Sequence, residues 1–504
     1  MSPAAVALNG LVAVPAGFAL LTWLLSSRRS DVAALATAVT GGLAVLGWSV
    51  WSVAATGGDL GARHVDVPWV AELGLRWHLG LDAISGALVL MTTVVVACCL
   101  VSLVRQPPAG GSRAHLAALL LLIEAGCLGS FAALDMVLFF LFFEVALIPM
   151  WFVIGQWGDP HDEPGRRRAA TRFLVFTVLG SALMLVGFVL VRADAGTFDI
   201  VTIAASYDPS GETAVAAAVL VALGLGIKTP LWPLHIWLPD AHAKAPTVGS
   251  VVLAAVLLKL GTYGFVRFWM PVVDPAWELL VPLVAAVAVV GIVYGALACL
   301  AQTDLKRLIA YSSVGHMGFV VLAAATFTVG GVQAAVFASV AHGVITGLLF
   351  FLAGAVKDRF GTGDLTRLGG LYGVVPHTGG LLAFGAMASL GLPGLAGFWG
   401  EMLAIRAAVL PAEALPRATF VVLGVVAALG VILTSAYFLA LLRTLLQTSP
   451  LVEPPPLPVA GDTRRSEWLA WSPLVALTLV LGVAPGLLLT PLAEATRLFL
   501  GGLG

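Results

Sequence analysis

Charge is what this chain of 504 residues has least of. Asp, Glu, Lys and Arg make up 11% of it, and only residues 228, 244, 259, 306 and 357 are lysine. The 26 basic and 27 acidic residues nearly cancel, leaving a formal net charge of -1. With no basic face to neutralise phosphates, the composition argues against nucleic acid as a partner. Cysteine is equally sparse. Cys98, Cys99, Cys127 and Cys299 fall in apolar segments without CxxC spacing. They read as small buried hydrophobes and support neither iron–sulfur ligation nor a disulfide framework. What remains is apolar: 60% of residues are hydrophobic and the mean hydropathy is +1.02. That composition excludes a soluble domain and predicts an all-α polytopic membrane protein.

Apolar segments of spanning length fall at about 5–25, 33–55, 81–104, 115–133, 136–156, 171–191, 213–235, 246–270, 278–300, 305–328, 331–356, 376–403, 418–442 and 468–490. These are about fourteen spans, each close to the roughly 20 residues that a bilayer requires. No charged region precedes the apolar run Leu11–Leu25, so it reads as a first span rather than a cleaved signal. Basic residues concentrate in loops after odd-numbered spans, among them Arg29, Arg105, Arg166–Arg168, Lys306 and Arg307. By the positive-inside rule, both termini are expected on the outer face. Arg63–Leu81 alternates apolar and polar residues around Glu72–Gly74, the pattern of a short outer hairpin. The stretch from Leu451 to Arg465, with prolines 454, 455, 456 and 458, predicts a stiff inner linker.

The stretch Gly226–Phe268 organises the rest. Lys228 ends one apolar run and Lys259 lies inside another. A lysine at a helix centre costs roughly 2.5–3.5 kcal/mol on insertion scales. Pro230 and Pro233 directly follow Lys228, which predicts a broken seventh span with freed backbone carbonyls. Such a break is tolerated where it lines protein or a water cavity rather than lipid. Leu390-Gly391-Leu392-Pro393-Gly394 in the twelfth span resembles Leu225–Pro230 in the seventh. Five spans separate them, an odd number, so the two halves would be inverted in the membrane.

Other ionisable residues fall inside apolar runs. Glu144 reads either as a carboxylate with a structural partner or as the counter-charge of Lys228. An opposite charge favours the ammonium form and desolvation the neutral amine, so an amine held between the two can change protonation. Lys259 is either snorkelling from a helix end or a buried amine, and its neighbours Leu257, Leu258 and Leu260 favour burial. His316 and His342 read as structural or as a hydrogen-bonded proton path. Glu401 follows the glycines of the twelfth span and is expected to face a hydrated exit path, or else headgroups at a helix end. Asp135 reads as a helix cap, and Glu124 as the partner of a neighbouring helix. His235, Asp240 and His242 imitate a metal set, but the intervening prolines disrupt helical ligand spacing, so no metal is expected there.

The run KTPLWPLHIWLPDAHAKAPTVGSVVLAAVLLKLGTYGFVRF, residues 228–268, resembles the signature of the antiporter-like membrane subunits of respiratory complex I. Mrp cation/proton antiporters and membrane-bound hydrogenases share it. Glu401, where other branches carry lysine, is similar to the M-type (chain 4) branch. The resemblance implies two inverted five-helix repeats, spans four to eight (115–270) and nine to thirteen (278–442). Residues 1–104 and 468–504 would flank them. It also implies proton transfer by Glu144, Lys228, Lys259, His316, His342 and Glu401. No cofactor is implied for this chain. FMN, Fe–S clusters and quinone are expected in partner subunits, beside L- and N-type neighbours and lipid. The implied location is the bacterial inner membrane. A proton-pumping module without its own redox centre is the first expectation. A subunit of a stand-alone Mrp-type antiporter and a spacer that moves no ions are the alternatives. Neutralising Lys228 leaves pumping intact only for the spacer.

Overall fold

The computed structural model describes residues 2–28, 31–57, 63–104, 110–274, 276–277, 279–447 and 461–501. Arg29, Arg105 and the four prolines of the expected linker lie outside the described residues. Helices α1 (Pro3–Arg28) and α2 (Asp31–Thr56) lead into strands β1 (Val65–Val70) and β2 (Leu75–Leu79). Then follow α3 (Ala83–Leu103), α4 (Arg113–Ala132), α5 (Met136–Trp157), α6 (Glu163–Ala195), the short α7 (Ile200–Ser206), α8 (Glu212–Lys228) and α9 (Leu238–Lys244). A helix with two widened turns, α10 (Thr247–Val272), precedes α11 (Leu280–Leu300), α12 (Leu305–Ala324) and α13 (Val329–Phe360). The chain ends with α14 (Leu371–Val374), α15 (Pro376–Ser389), α16 (Ala396–Val409), α17 (Arg417–Leu442), α18 (Arg465–Val483) and α19 (Gly486–Gly501).

Among the described residues, twelve helices are long and apolar enough to cross a membrane. The expected seventh and twelfth spans are missing from that number because each is broken in two, as α8 with α9 and α15 with α16. The expected last span ends earlier than its apolar run. Pro485 cannot continue α18, and the chain resumes as α19, which buries Leu492, Ala495 and Thr496 and exposes Leu487 and Leu498.

The scarce acids are spent on helix starts. Asp82, Asp135, Asp162, Asp199 and Asp304 cap α3, α5, α6, α7 and α12, each accepting from amides of the first turn. Small residues then let helices approach. A Cβ on Gly180 of α6 would lie 3.1 Å from the Gly224 carbonyl of α8, and one on Gly295 of α11 would lie 3.0 Å from the Tyr311 carbonyl of α12. Two helices are wrapped completely. The most apolar stretches of α10 and α13 are 100% buried, against 39% for α1, α2, α6, α17 and α18. The rim helices turn single apolar faces outward, such as Val422, Val425, Leu429 and Ile432 on α17.

The two broken spans share their backbone bonding. In the first, the Thr229 amide reaches the Leu225 carbonyl and the Leu231 amide the Gly226 carbonyl. In the second, Leu390 reaches Ala386 and Leu392 reaches Met387. A second pattern also occurs twice along the chain. Met136 and Ile200 pair with Phe198 and Leu134 at the start of α5, and Leu305 and Leu365 pair with Gly363 and Thr303 at the start of α12. This bonding sets Lys228 against Ser389. It corrects the sequence alignment above, which matched the Gly and Pro letters instead.

On the face that carries the basic loops, Lys357 pairs with Asp159 at 3.0 Å and Lys244 with Asp162 at 2.6 Å. Burial alone would raise the Asp159 carboxyl, but Lys357 and the His161 amide outweigh it and hold it below its ordinary range. On the opposite face, β1 and β2 form the expected antiparallel hairpin. Its turn is closed by Gly74 at φ 70°, where a side chain would be strained. Beneath it, Arg267 of α10 binds Asp82, both almost fully buried. Removing one partner of such a pair costs about 3–5 kcal/mol, because a buried charge is left alone. Asp82→Ala is therefore expected to lower the thermal unfolding midpoint of the detergent-purified protein strongly. Asp82→Ala with Arg267→Met should recover most of the loss.

Candidate functional site

The break after α8 places an amine where backbone has been freed. Pro230 and Pro233 cannot donate to the preceding turn, so the end of α8 needs other donors. Trp237 supplies one: its indole Nε1 donates to the Ile227 carbonyl at 3.0 Å. Lys228, 3% exposed, leaves that end and donates to Ser181 Oγ of α6 at 2.7 Å. Ser181 in turn donates to Glu144 of α5. Lys228 and Glu144 are 4.0 Å apart, and the ammonium also lies 4.0 Å from the centroid of the Phe143 ring. The predicted pair is thus a three-member bridge. The Lys228 side chain is 1% exposed and that of Glu144 23%, so the carboxylate sits at the bundle's edge. Sequence reading missed Ser181. Its only signal is a hydroxyl beside Gly180 in an apolar helix.

Lys259 is fully buried on α10, so it does not snorkel. The helix widens over Leu253–Leu257, and the Ala254 carbonyl in that turn accepts from Nζ at 2.7 Å. Lys259 Nζ also lies 2.5 Å from His342 Nδ1 on α13. One turn along the same pair of helices, Thr262 and Ser339 share a hydrogen bond of 3.1 Å. The His342 ring meets that of His316 on α12, with centroids 5.4 Å apart. His316 Nε2 lies 3.0 Å from Ser389 Oγ, at the end of α15. Its Nδ1 lies 3.3 Å from Glu401 Oε1, in ion-pair range without aligning as a hydrogen bond.

Glu401 is buried, which excludes contact with headgroups. It lies under the second break, where Gly391 and Gly394 adopt φ of 82° and 94°. A small cavity lined by His316, His342, Ser389 and Glu401 has about 20 Å³ open to the centre of a water molecule, room for about one.

Of the six expected residues, Glu144 and Lys228 therefore form one group, and Lys259, His342, His316 and Glu401 form a continuous row. Among the described residues no hydrogen bond joins the groups. The buried hydroxyl of Thr229, the residue after Lys228, lies against Gly261 of α10, two residues from Lys259, and has no hydrogen-bond partner among the described residues. The other candidates take structural places. Asp135 caps α5 as expected, accepting from Val137 and Leu138 at 2.9 and 3.0 Å. His235 packs between Tyr294 and Tyr311, and His242 stacks on Phe350 at 4.4 Å. Asp240 binds Arg172 and Arg307. Glu124 differs from expectation: it is fully buried and neither oxygen has a hydrogen-bond partner among the described residues.

A model of the transmembrane family of NADH:quinone oxidoreductase and Mrp antiporter subunits matches residues 133–430. NADH-quinone oxidoreductase subunit M of Rhodobacter capsulatus is 40% identical over 434 residues, covering 84% of this chain and 81% of its own. An NAD(P)H-quinone oxidoreductase chain 4 of Nostoc sp. is 39% identical, covering 74% and 68%. A chain of respiratory complex I from Thermus thermophilus superposes with a TM-score of 0.85 at 29% identity, over 98% of this chain and 99% of that one. A chain of the Mrp complex from Dietzia sp. shares the fold, with a TM-score of 0.81 at 22% identity over both full lengths.

A hydrogen bond to a charged group contributes about 1.5–3 kcal/mol, and 1.4 kcal/mol is tenfold in rate. Ser181→Ala is expected to slow proton uptake by sealed vesicles roughly tenfold or more without loss of the folded protein. Ser181→Thr, which keeps the hydroxyl, should restore most of it.

Proposed function

The chain belongs to the NADH:quinone oxidoreductase/Mrp antiporter transmembrane family, and we propose that it is the M-type, proton-translocating subunit in the membrane arm of an NADH:quinone oxidoreductase. The observation that carries this reading is the row of neighbours Lys259–His342–His316–Glu401, buried in the bundle beside a separate Glu144–Ser181–Lys228 bridge. Each member of the row accepts and releases a proton, and none is placed to carry electrons.

In this mechanism a proton enters from the inner face near α8–α10 and reaches Lys228. While Glu144 lies close, the ammonium form is favoured. Separating the pair leaves a desolvated charge that gives up its proton. The proton then moves by way of Thr229 to Lys259 and on to His342, His316 and Glu401, and leaves outward. The contact of Lys259 with His342 supports taking His342 before His316. Redox energy arrives from neighbouring subunits as electrostatic change, and the edge position of Glu144 suits it to receive that signal.

The subunit carries no redox centre of its own. FMN, Fe–S clusters and quinone belong to partner subunits, and L- and N-type subunits and lipid flank this one. Both termini face outward from a bacterial inner membrane, in keeping with the basic loops on the opposite side. Residues 115–270 and 278–442 form two inverted repeats, with 1–104 and 468–504 outside them. The recurring backbone bonds at α5 and α12, and at the two breaks, support this division. The Mrp-type reading rests on likeness of fold and has less behind it.

The decisive variant is Lys228→Ala in inverted membrane vesicles, with assembly verified on a native gel. NADH-driven quinone reduction and proton uptake are recorded together. Both are expected to fall at least tenfold in an assembled complex. Normal rates of both would make the chain a spacer or part of another machine.

A further inference from the structure

The outer hairpin holds a group of side chains that proton transfer does not use. Along a strand, alternate residues share a face, and a residue directly opposite on the neighbouring strand joins them. His64 and Asp66 are two apart, and Asp66 pairs across the hairpin with His78. The sequence His64-Val65-Asp66 opposite His78 therefore gathers two imidazoles and a carboxylate on one face. Each offers one ligand atom, and the three atoms lie within 4.8 Å of one another. From these positions we infer that His64, Asp66 and His78 form a binding site for a divalent transition-metal cation of the zinc class on the outer face.

Three observations point to a ligand rather than to a polar surface. His78 is 5% exposed, and its Nε2 is buried without a hydrogen-bond partner among the described residues. Its other nitrogen, Nδ1, lies 2.5 Å from Asp199 Oδ2. A carboxylate behind a histidine fixes the tautomer and aims the free nitrogen, the arrangement found behind metal-bound imidazoles. Asp199 is itself fixed, since its other oxygen accepts from the Thr202 amide and hydroxyl at 2.7 Å each. The His64 and His78 rings already meet edge to face, with centroids 5.2 Å apart.

Two imidazoles and one carboxylate are a zinc-type donor set, with ligand distances of about 2.0–2.2 Å that leave a fourth position for water. Closing the three atoms onto one ion asks for movement of His64 and Asp66, both of which are exposed. The competitor is Arg76, which binds Asp66 at 2.6 and 2.8 Å. That pair is bidentate but partly exposed, so a divalent cation competes with Arg76 for the Asp66 carboxylate. A bound ion would join β1 to β2. Through His78 and Asp199 it would also tie the hairpin to the start of α5, where Asp199 bridges Asp135.

The test uses the assembled complex in chelator-washed membranes, with Zn²⁺ as the probe and a competing chromophoric chelator as the readout. Wild type is expected to take up one more Zn²⁺ per complex than His64→Ala and than His78→Gln. Asp199→Asn, which keeps all three ligands, should bind about 10–100-fold more weakly. His64→Ala keeps the test decisive if His78→Gln fails to assemble, because His64 is exposed and its loss leaves the core intact. Equal uptake by wild type and His64→Ala, in complexes that assemble alike, would overturn the site.

Discussion

An ammonium group inside a bilayer must carry its solvent with it, and the protein around Lys259 is built to be that solvent. Hydrocarbon supplies no acceptors. The amine instead has a carbonyl from a widened turn of its own helix and an imidazole from α13. Every other feature of the interior follows from keeping those groups together and dry. The helices that carry Lys259 and His342 are the two without lipid contact, and the rim helices wrap them. Because the acceptor is a titratable ring rather than a second carbonyl, the same contact that holds the amine also offers its proton somewhere to go.

The breaks in the seventh and twelfth spans meet the same constraint from the backbone side. A helix end in lipid leaves carbonyls unsatisfied. Here an indole answers the first break, and another bonds the helix next to the second. Trp237 donates to Ile227 just before Lys228, and Trp399 donates at 2.7 Å to the Gly482 carbonyl of α18 beside the second break. The short loops between the half-helices keep backbone bonds to the helix ends they leave, from Leu231 to Gly226 and from Leu392 to Met387. Glu401 rests against the glycine turn, and Lys228 against Ser181.

Much of this was legible in the residues. Span length is imposed by the bilayer, so hydropathy located the helices, including two whose halves are individually too short. A lysine flanked by leucines is costly enough for its position alone to single out Lys259, and Lys228, Glu144 and Glu401 stand out as ionisable residues in apolar runs. The pairings were less visible, because they depend on how each helix is rotated about its axis. Ser181 is an ordinary residue until α6 turns it between Glu144 and Lys228. The order of His342 and His316 is fixed by which ring reaches Lys259, not by chain position. Trp237 reads as an interfacial aromatic, and its role as a cap depends on where the broken chain returns. Glu124 remained the exception: burial was expected, a partner was expected, and none is present among the described residues. We have no physical account of why its carboxyl is there.

The contact between Lys259 and His342 spans 83 residues of sequence. A chain of this kind is made and inserted from its beginning. For the time needed to synthesise α11, α12 and much of α13, Lys259 has entered or waits to enter the bilayer without the ring that solvates it. A segment that ends fully enclosed in the finished bundle is thus made before its buried amine has that partner. Its insertion must be delayed, shielded by the insertion machinery, or completed only when α13 arrives. The residue proposed to pass protons is for that interval a residue without its partner.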